Sequence, residues 1–280
     1  MSKVRELFGV HTKRGGLDWG KILREQTCPY TAAKCFKVRK SNPAVSIGIC
    51  AVNYSKHDNV MICPNRLLER KQIFTDCIHL LAFHEPGNEL HLIPEATVPG
   101  VSVDYFLLSV CKGKAVDFVG VELQTLDTTG SLWSERASFI LEKGLPVGSE
   151  DLRAKTFGMN WKMSAKTILM QMHHKIGTFE NLGRHLVLVV QDCFRDYMAR
   201  EFSFSHMRQA RQGDSFHMHS YSLNETGGNA LRIQLSGRTS TDSDGIALCL
   251  GLKADAKVEL EALIKHLESK VSEATLFNPI

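Results

Sequence analysis

Short runs of apolar residues, separated by turns, occupy the middle of the chain and predict β-strands. Residues 89–93, 101–110 and 118–126 form one such series, with the turns "VPG" and "KGK" between its members. Short connections between successive strands favour antiparallel pairing. The series therefore predicts a three-stranded antiparallel meander.

Two further elements follow the meander. Residues 160–177 show the apolar spacing of an amphipathic helix, with a glycine near its end. Residues 185–190, "HLVLVV", form a continuous apolar run that is typical of a strand buried on both faces. Strands, a helix and another strand together predict an α/β (α+β) core in which helices flank a mixed central sheet.

The flanking parts of the chain differ in pattern. Residues 67–81 and 254–272 have helical spacing, and residues 215–223 and 229–239 predict two strands around the turn "NETGGN". Residues 27–66 instead consist of short, turn-prone pieces around cysteines. They offer little apolar surface, so we expect something other than a hydrophobic core to hold this segment together.

Charge is distributed unevenly along the 280 residues. Residues 1–70 contain 13 Lys or Arg against 5 Asp or Glu, a net of +8, so the overall charge of +4 leaves residues 71–280 at −4. A basic segment favours a polyanionic partner such as nucleic acid, although a solvated lysine-rich surface has the same composition. We divide the chain into a basic N-terminal segment, 1–70, and a second domain, 71–280.

The composition also bears on the cellular location of the protein. A hydrophobic content of 43% is that of a folded protein, and the apolar runs are far shorter than the roughly 18 residues that suggest a membrane span. The chain opens without an apolar leader. We therefore expect an unprocessed cytoplasmic protein with no membrane partner, in which eight cysteines are not a disulfide framework.

Carboxylates interrupt the predicted meander. Glu122 and Gln124 are two residues apart in its third strand, so their side chains project from the same face. Asp104 lies in the second strand, and if the two strands are neighbours it comes within about 5 Å of Glu122. Two carboxylates at that separation suit Mg²⁺, although solvated carboxylates on a half-exposed strand are common.

Four cysteines of the basic segment form a second candidate site. Cys28, Cys35, Cys50 and Cys63 have 6, 14 and 12 residues between them. Four thiolates around a tetrahedral ion would stabilise a segment that lacks a core. Four unconnected, reduced cysteines are the alternative interpretation.

Basic residues in two places are candidates for contact with DNA. Lys37, Arg39 and Lys40 lie in "KCFKVRK" beside the cysteines and suit phosphate contacts. Arg208 and Arg211 lie in "HMRQARQ", and arginine is suited to reading guanine. A solvated loop is the alternative interpretation of the second group.

Other polar residues of the second domain predict ordinary structural roles. Lys175 and Gln171 share a face of the predicted helix. One interpretation is that they reach toward the carboxylates, and the favoured one is a helix-cap lysine and a surface glutamine. The histidines at 173–174, 217 and 219 have no accompanying nucleophile motif. Packing is the favoured interpretation of these histidines.

The order of these motifs resembles a known family. The pieces "CPY", "GICAVN" and "ICPNR" are followed by "NELHL", "VSVDYFLLSV" and "FVGVELQTLDTTGS". This series is similar to the NotI-type restriction endonucleases of the PD-(D/E)XK nuclease superfamily. The resemblance extends over more than half of the chain, from about residue 6 to residue 175, and fades over the last hundred residues.

The resemblance implies a PD-(D/E)XK core with a small four-cysteine element before it. Asp104 and Glu122 would be the Mg²⁺ ligands, and Gln124 would occupy the position where most of the superfamily has lysine. Glu89, in "NEL", would be the upstream acidic residue that completes the cluster. The cysteines would bind one structural iron, which sequence does not distinguish from zinc.

The activity that the resemblance implies is that of a type II restriction endonuclease. A homodimer would cut both strands of a palindromic, GC-rich DNA site with Mg²⁺, leaving 5′-phosphate and 3′-hydroxyl ends. A cognate DNA methyltransferase would complete the restriction–modification system in a prokaryotic cell. The alternatives are a structure-specific repair or mobile-element nuclease of the same superfamily, and a non-catalytic DNA-binding protein with a metal knuckle.

Overall fold

A computed structural model describes residues 2–39, 42–95, 97–98, 101–148, 157–252 and 260–270 of the chain. The strands are β1 (Val4–Leu7), β2 (Val10–His11), β3 (Val38–Arg39), β4 (Asn42–Ser46), β5 (Ile49–Tyr54), β6 (His57–Met61), β7 (Glu89–Pro94), β8 (Thr97–Val98), β9 (Val101–Ser102), β10 (Tyr105–Cys111), β11 (Lys114–Gln124), β12 (Thr128–Thr129), β13 (Gly158–Met159), β14 (His185–Gln191), β15 (Arg208–Gln209), β16 (Phe216–Thr226) and β17 (Ala230–Thr241). The α-helices are α1 (Trp19–Glu25), α2 (Gln72–Thr75), α3 (Trp133–Glu142), α4 (Trp161–Asn181), α5 (Asp192–Glu201), α6 (Ser243–Cys249) and α7 (Leu260–Glu268). Among the residues described, no helix combines the length and the hydropathy needed to cross a bilayer.

A mixed sheet flanked by helices forms the centre of the fold, as the sequence predicts. Its strand order is β15, β17, β16, β14, β11, β10, β7. Strands β11, β14 and β16 are parallel, and their neighbours on both sides are antiparallel. Helix α4 connects β11 to β14, because parallel neighbours need a long crossover. The predicted meander is confirmed as β7, β10 and β11, but the strand predicted over 101–110 is divided, because β9 pairs with β8 and β10 begins only at Tyr105.

The central strand and the crossover helix also agree with the sequence pattern. Residues Leu186 to Val190 of β14 are fully buried, because helices and loops cover both faces of the sheet there. Helix α4 begins one residue later and ends four residues later than predicted. Its buried side chains recur with helical spacing, namely Ser164, Ala165, Ile168, Leu169, Met172, Ile176 and Phe179.

The C-terminal strand predictions are confirmed as well. Strands β16 and β17 pair as an antiparallel hairpin that extends the large sheet. The helix predicted over 254–272 corresponds to α7, which covers 260–268. Residues 254–259 and 271–272 of that prediction lie outside the described part of the chain.

The single helix predicted over 67–81 is wrong. The chain forms a 3-10 helix at Pro64–Lys71, the short α2, and a second 3-10 helix at Ile78–Leu80. Arg70 and Lys71 adopt left-handed backbone conformations, with φ of 52° and 55°. A continuous helix cannot pass through such residues, so the apolar side chains reach the core from separate turns.

The expectation that residues 27–66 lack a core is wrong for their second half. Strands β5 and β6 join β1 and β2 in a four-stranded sheet of order β2, β1, β5, β6. Within it Ile49, Val52, Val60 and Met61 are fully buried or nearly so. Hydrophobic burial therefore stabilises this part without requiring an ion.

Two hydrophobic clusters lie on the two sides of the large sheet, and both cross residue 70. The first joins Leu7 and Val52 to Leu188 of β14, and the second joins Met61 to Val189 of the same strand. The division of the chain into two domains, 1–70 and 71–280, stays a prediction. Across that division the two parts share both cores.

A buried glutamine connects the two sheets. Gln191, at the end of β14, accepts a hydrogen bond from the backbone N–H of Met61 (2.7 Å) and donates one to the carbonyl of Asn59 (2.9 Å). Both bonds go to β6, the last strand of the smaller sheet, at its buried outer edge. The amide therefore satisfies backbone groups that would otherwise be buried without partners.

A buried ion-pair network fixes the start of the 64–71 helix. Arg66 pairs through Nε with Glu6 (2.6 Å) and through Nη1 with Glu69 (2.9 Å). Its Nη2 donates to the carbonyl of Leu231 in β17 (2.9 Å), and its guanidinium lies 5.0 Å from the centre of the Tyr30 ring. One side chain thus links β1, the cysteine-containing segment and the C-terminal hairpin.

Candidate active site

Two carboxylates meet where β10 begins. Tyr105 pairs with Val121, so Asp104 and Glu122 are the next opposed positions of the two strands. Asp104 lies in the bend before β10, and its Oδ2 accepts a hydrogen bond from the backbone N–H of Leu123 (2.8 Å). The Glu122 side chain is buried and within hydrogen-bonding range of the Asp104 carboxylate. The proximity expected from the sequence is therefore present.

A lysine of α4 completes the cluster. The Nζ of Lys175 forms an ion pair with Oε1 of Glu122. Side chains of a helix point towards its N-terminus, which directs this lysine towards the C-terminal end of β11. The interpretation of Lys175 as a helix-cap lysine is therefore wrong. Gln171, one turn earlier, is exposed, in agreement with its interpretation as a surface residue.

The electrostatics of the cluster are those of two anions near one cation. Burial raises the pKa of Glu122 to about 7, the hydrogen bond from Lys175 opposes that rise, and the neighbouring Asp104 adds to it. One ammonium therefore does not compensate for both carboxylates. Oxygen donors of this kind, close together and short of positive charge, fit a hard divalent cation.

Gln124 lies on the same face as Glu122 but is engaged elsewhere. Its Nε2 donates to the carbonyl oxygen of Thr125 (2.6 Å), and the residue is half-buried. The predicted shared face is confirmed. The amide is neutral and cannot supply the missing charge.

Glu89 does not belong to the cluster, which corrects the expectation from the resemblance. Antiparallel pairing places Glu89 opposite Val110 and Pro94 opposite Tyr105, so Glu89 lies five residues, or about 17 Å, from the end of β7 that adjoins Asp104. It is exposed and pairs with His91 (3.1 Å).

A different acidic residue lies at that end of the strand. The backbone N–H of Glu95 donates to the carbonyl of Asp104 (2.8 Å). Both residues line a cleft of about 430 Å³ with Thr31, Ala33, Lys34, Phe36, Pro64, Asn65, Tyr105 and Leu123. The antiparallel register of β7 and β10 places Glu95 there, because it brings the end of one strand to the start of the next.

A glycine lets α4 approach the carboxylates. A Cβ on Gly120 would lie 2.4 Å from the ring of Phe179 and 3.3 Å from Leu186. Only a residue without a side chain accommodates that aromatic ring at this point. The helix consequently packs directly on β11, two residues from Glu122.

The four cysteines of the basic segment lie in one region and are buried. A small hairpin, closed by the Thr27–Lys34 bridge, carries Cys28 and Cys35. Cys50 lies in β5 and Cys63 precedes the first 3-10 helix, with the thiol of Cys63 in electrostatic range of the other three. Burial raises the pKa of the Cys63 thiol, and it raises that of Cys50 well above its ordinary value. Within the described ranges, no three or more His, Cys, Asp or Glu side chains are arranged as ligands to one metal ion.

The basic residues next to the cysteines are partly engaged within the protein. Lys37 donates to the carbonyl of Ile62 (2.5 Å), and the guanidinium of Arg39 lies 5.1 Å from the centre of the Trp133 ring. Both are half-buried. Lys40 lies outside the described residues.

The two C-terminal arginines differ from each other. Arg208 forms two hydrogen bonds with the carboxylate of Asp214, at 3.1 and 2.5 Å, and so stabilises the edge strand β15. Arg211 is exposed, and its backbone N–H donates to Oγ of Ser240 (2.8 Å). Of the two, Arg211 has the side chain that is open to a partner.

The strand histidines are buried on the opposite side of the large sheet from α4. His217 donates through Nε2 to the carbonyl of Asp214 (2.9 Å), and Nδ1 of His219 lies 3.8 Å from the thiol of Cys77. Burial, with the nearby His185, lowers the pKa of His217 to about 4. Burial, with Arg238, lowers that of His219 to about 3. Both rings are packed and neutral, as the favoured interpretation predicts.

Comparisons with known proteins identify no relative. No family model, curated protein or solved structure matches this chain.

Proposed function

We propose that this protein is a metal-dependent endonuclease that hydrolyses phosphodiester bonds in double-stranded DNA. The observation that carries the proposal is the pairing of Asp104 with Glu122 at adjacent strand ends, with Lys175 against them from the crossover helix. The sequence resemblance to NotI-type restriction endonucleases gives the finer proposal. It is a type II enzyme with a PD-(D/E)XK core that acts as a homodimer on a palindromic site, beside a cognate methyltransferase.

Asp104 and Glu122 would hold a magnesium ion through their carboxylate oxygens. When bound, Mg²⁺ polarises the phosphate and lowers the pKa of a coordinated water. The chain's own part is to fix the two carboxylates. The backbone N–H of Leu123 orients Asp104, and burial beneath α4 restricts the Glu122 side chain. Gln124 would orient a water or a phosphate oxygen after releasing its bond to Thr125.

The cleft beside Asp104 provides a path for a nucleic-acid strand. The cysteine hairpin, with Lys34 and the exposed Phe36, forms one wall, and Asp104 and Glu95 form the other. A cationic and aromatic wall suits a phosphate backbone with its bases. The net charge of +8 on residues 1–70 attracts DNA to that wall.

The four cysteines would hold one structural ion, iron or zinc. The chemistry of the donors fits, because four buried thiols within one region suit a tetrahedral thiolate site. Metal analysis of the purified protein tests this proposal. One equivalent of iron or zinc is expected in the wild type and its loss in Cys63→Ser, whereas a metal-free wild type contradicts the site.

A digest of unmethylated plasmid DNA with Mg²⁺, read by run-off sequencing, tests the activity and reveals the cut position. Discrete fragments that disappear with EDTA support a sequence-specific nuclease. Cleavage only at branched or damaged DNA would instead indicate the structure-specific alternative. Binding without cleavage on a broad DNA panel would contradict the nuclease proposal and favour a non-catalytic DNA-binding protein.

A further inference from the structure

Lys175 provides a positive charge that residues 118–124 of β11, the part of the strand beside the carboxylates, do not carry. Its Nζ forms an ion pair with Glu122. Gln124, two residues further along β11, is neutral, and its amide donates to the carbonyl of Thr125. A lysine ammonium has three donors, of which the carboxylate occupies one. Donors therefore remain for a group that enters the cluster.

The lysine is held firmly in this position. On α4 it lies between Met172 and Ile176, which are fully buried, and Phe179 anchors the next turn over Gly120. Its side chain is about four-fifths buried, with 21% exposed. A charged group preorganised in a site of low solvent access stabilises developing charge far better than a solvated one does.

The geometry points to Lys175 as a catalytic residue whose ammonium binds a non-bridging oxygen of the scissile phosphate. This inference rests on the proposed nuclease activity and assigns the phosphate-binding role to the helix rather than to the strand. A water oxygen forms a bond to phosphorus, and the bond from phosphorus to O3′ breaks with its electron pair moving to O3′. The attacking water releases a proton to solvent and O3′ takes one up, so Lys175 remains protonated throughout.

Moving the lysine from the helix to the strand tests the assignment. Lys175→Met keeps the apolar stem and removes the charge, and we expect kcat to fall by about 100-fold or more, with KM and thermal midpoint little changed. In the double variant Gln124→Lys/Lys175→Met the charge returns on the same face of β11. We expect kcat to recover at least about tenfold over the single variant, an effect that a purely structural lysine would not produce. Lys166→Met, an exposed lysine on the same helix, is the matched control and keeps the wild-type rate.

The outcomes separate this role from the activity itself. Wild-type rates in Lys175→Met, or no recovery in the double variant when both proteins are folded by circular dichroism, overturn the assignment. If Lys175→Met does not fold, Lys175→Arg supplies the test, because it retains the charge and must keep measurable cleavage. A wild-type protein that cleaves no DNA contradicts the proposed function instead.

Discussion

At the scale of single residues, the site depends on an imbalance of charge. Asp104 and Glu122 lie side by side with Lys175 as their cationic neighbour, and burial makes the imbalance costly. An additional cation would relieve that cost, which supports the proposed metal ion at this pair. Substitution of each acidic residue therefore tests whether it belongs to this site.

Neutralising either carboxylate should abolish cleavage. Asp104→Asn and Glu122→Gln remove the charge that holds Mg²⁺ but keep side-chain volume, so we expect at least about a 1,000-fold loss of rate with DNA binding retained. Gel-based cleavage and fluorescence binding assays measure the two effects separately. Glu89→Gln serves as the control, because Glu89 lies at the far end of β7. A loss of activity there would restore it to the cluster.

At the scale of elements, β16 carries buried neutral histidines that make the fold sensitive to acid. His217 and His219 have pKa values of about 4 and about 3, below the ordinary value of 6.5. As pH falls below 6.5, these histidines therefore bind protons in the unfolded chain but not in the folded chain. The contribution of these neutral histidines to stability is fully present above that pH and is lost as pH falls towards 4 and 3.

The size of this acid effect can be measured by urea denaturation at pH 7.5, 5.5 and 4.5. His217 alone should contribute a loss on the order of 3 kcal/mol by pH 4. His217→Gln should reduce the slope of stability against pH, although it lowers stability at neutral pH. His174→Gln, an exposed histidine of α4, should leave the slope unchanged. Equal slopes in wild type and His217→Gln would contradict the assignment.

The cysteine hairpin should govern how strongly DNA binding depends on salt. Lys34 lines the cleft, and Lys37 lies three residues later in the chain. In the double variant Lys34→Ala/Lys37→Ala, the slope of the logarithm of the DNA-binding constant against the logarithm of the salt concentration should fall by about 0.9 for each lost phosphate contact. Titrations between 50 and 300 mM KCl, roughly the range over which such slopes are resolved, provide the measurement. Lys265→Ala on α7 is the control and should not change the slope.

Element-scale patterns explain how much of the fold could be predicted. The pattern of apolar residues located the meander, α4, β14 and the C-terminal hairpin, because most of these elements bury apolar side chains, although β7 is largely exposed. Residues 64–81 could not be predicted, since their apolar side chains reach the core from turns broken at Arg70 and Lys71. Register fixes Glu89 and Glu95 at opposite ends of β7, and a single sequence does not contain that register. The contact of Lys175 with Glu122 likewise depends on how α4 packs on β11, which the local sequence pattern does not predict.

At the scale of the whole molecule, Arg66 ties the N-terminal sheet to the C-terminal hairpin. Removing it leaves Glu6 and Glu69 buried without their common partner. We expect Arg66→Met to lower the free energy of unfolding by about 3–5 kcal/mol, measured by urea denaturation at neutral pH. Lys21→Ala, which removes an exposed pair with Glu25, should change it by less than about 0.5 kcal/mol. Similar losses in both variants would refute the structural role of the network.

The close packing of Phe179 against Gly120 limits which amino-acid substitutions this chain can accept during evolution. Neighbouring apolar positions tolerate exchange for residues of similar volume, because a core can repack. At Gly120 any larger residue would push α4 away from β11 and carry the ammonium of Lys175 out of reach of Glu122. Among proteins that share this arrangement, glycine at this position should accompany lysine on the helix, and sequences that lose one should lose the other.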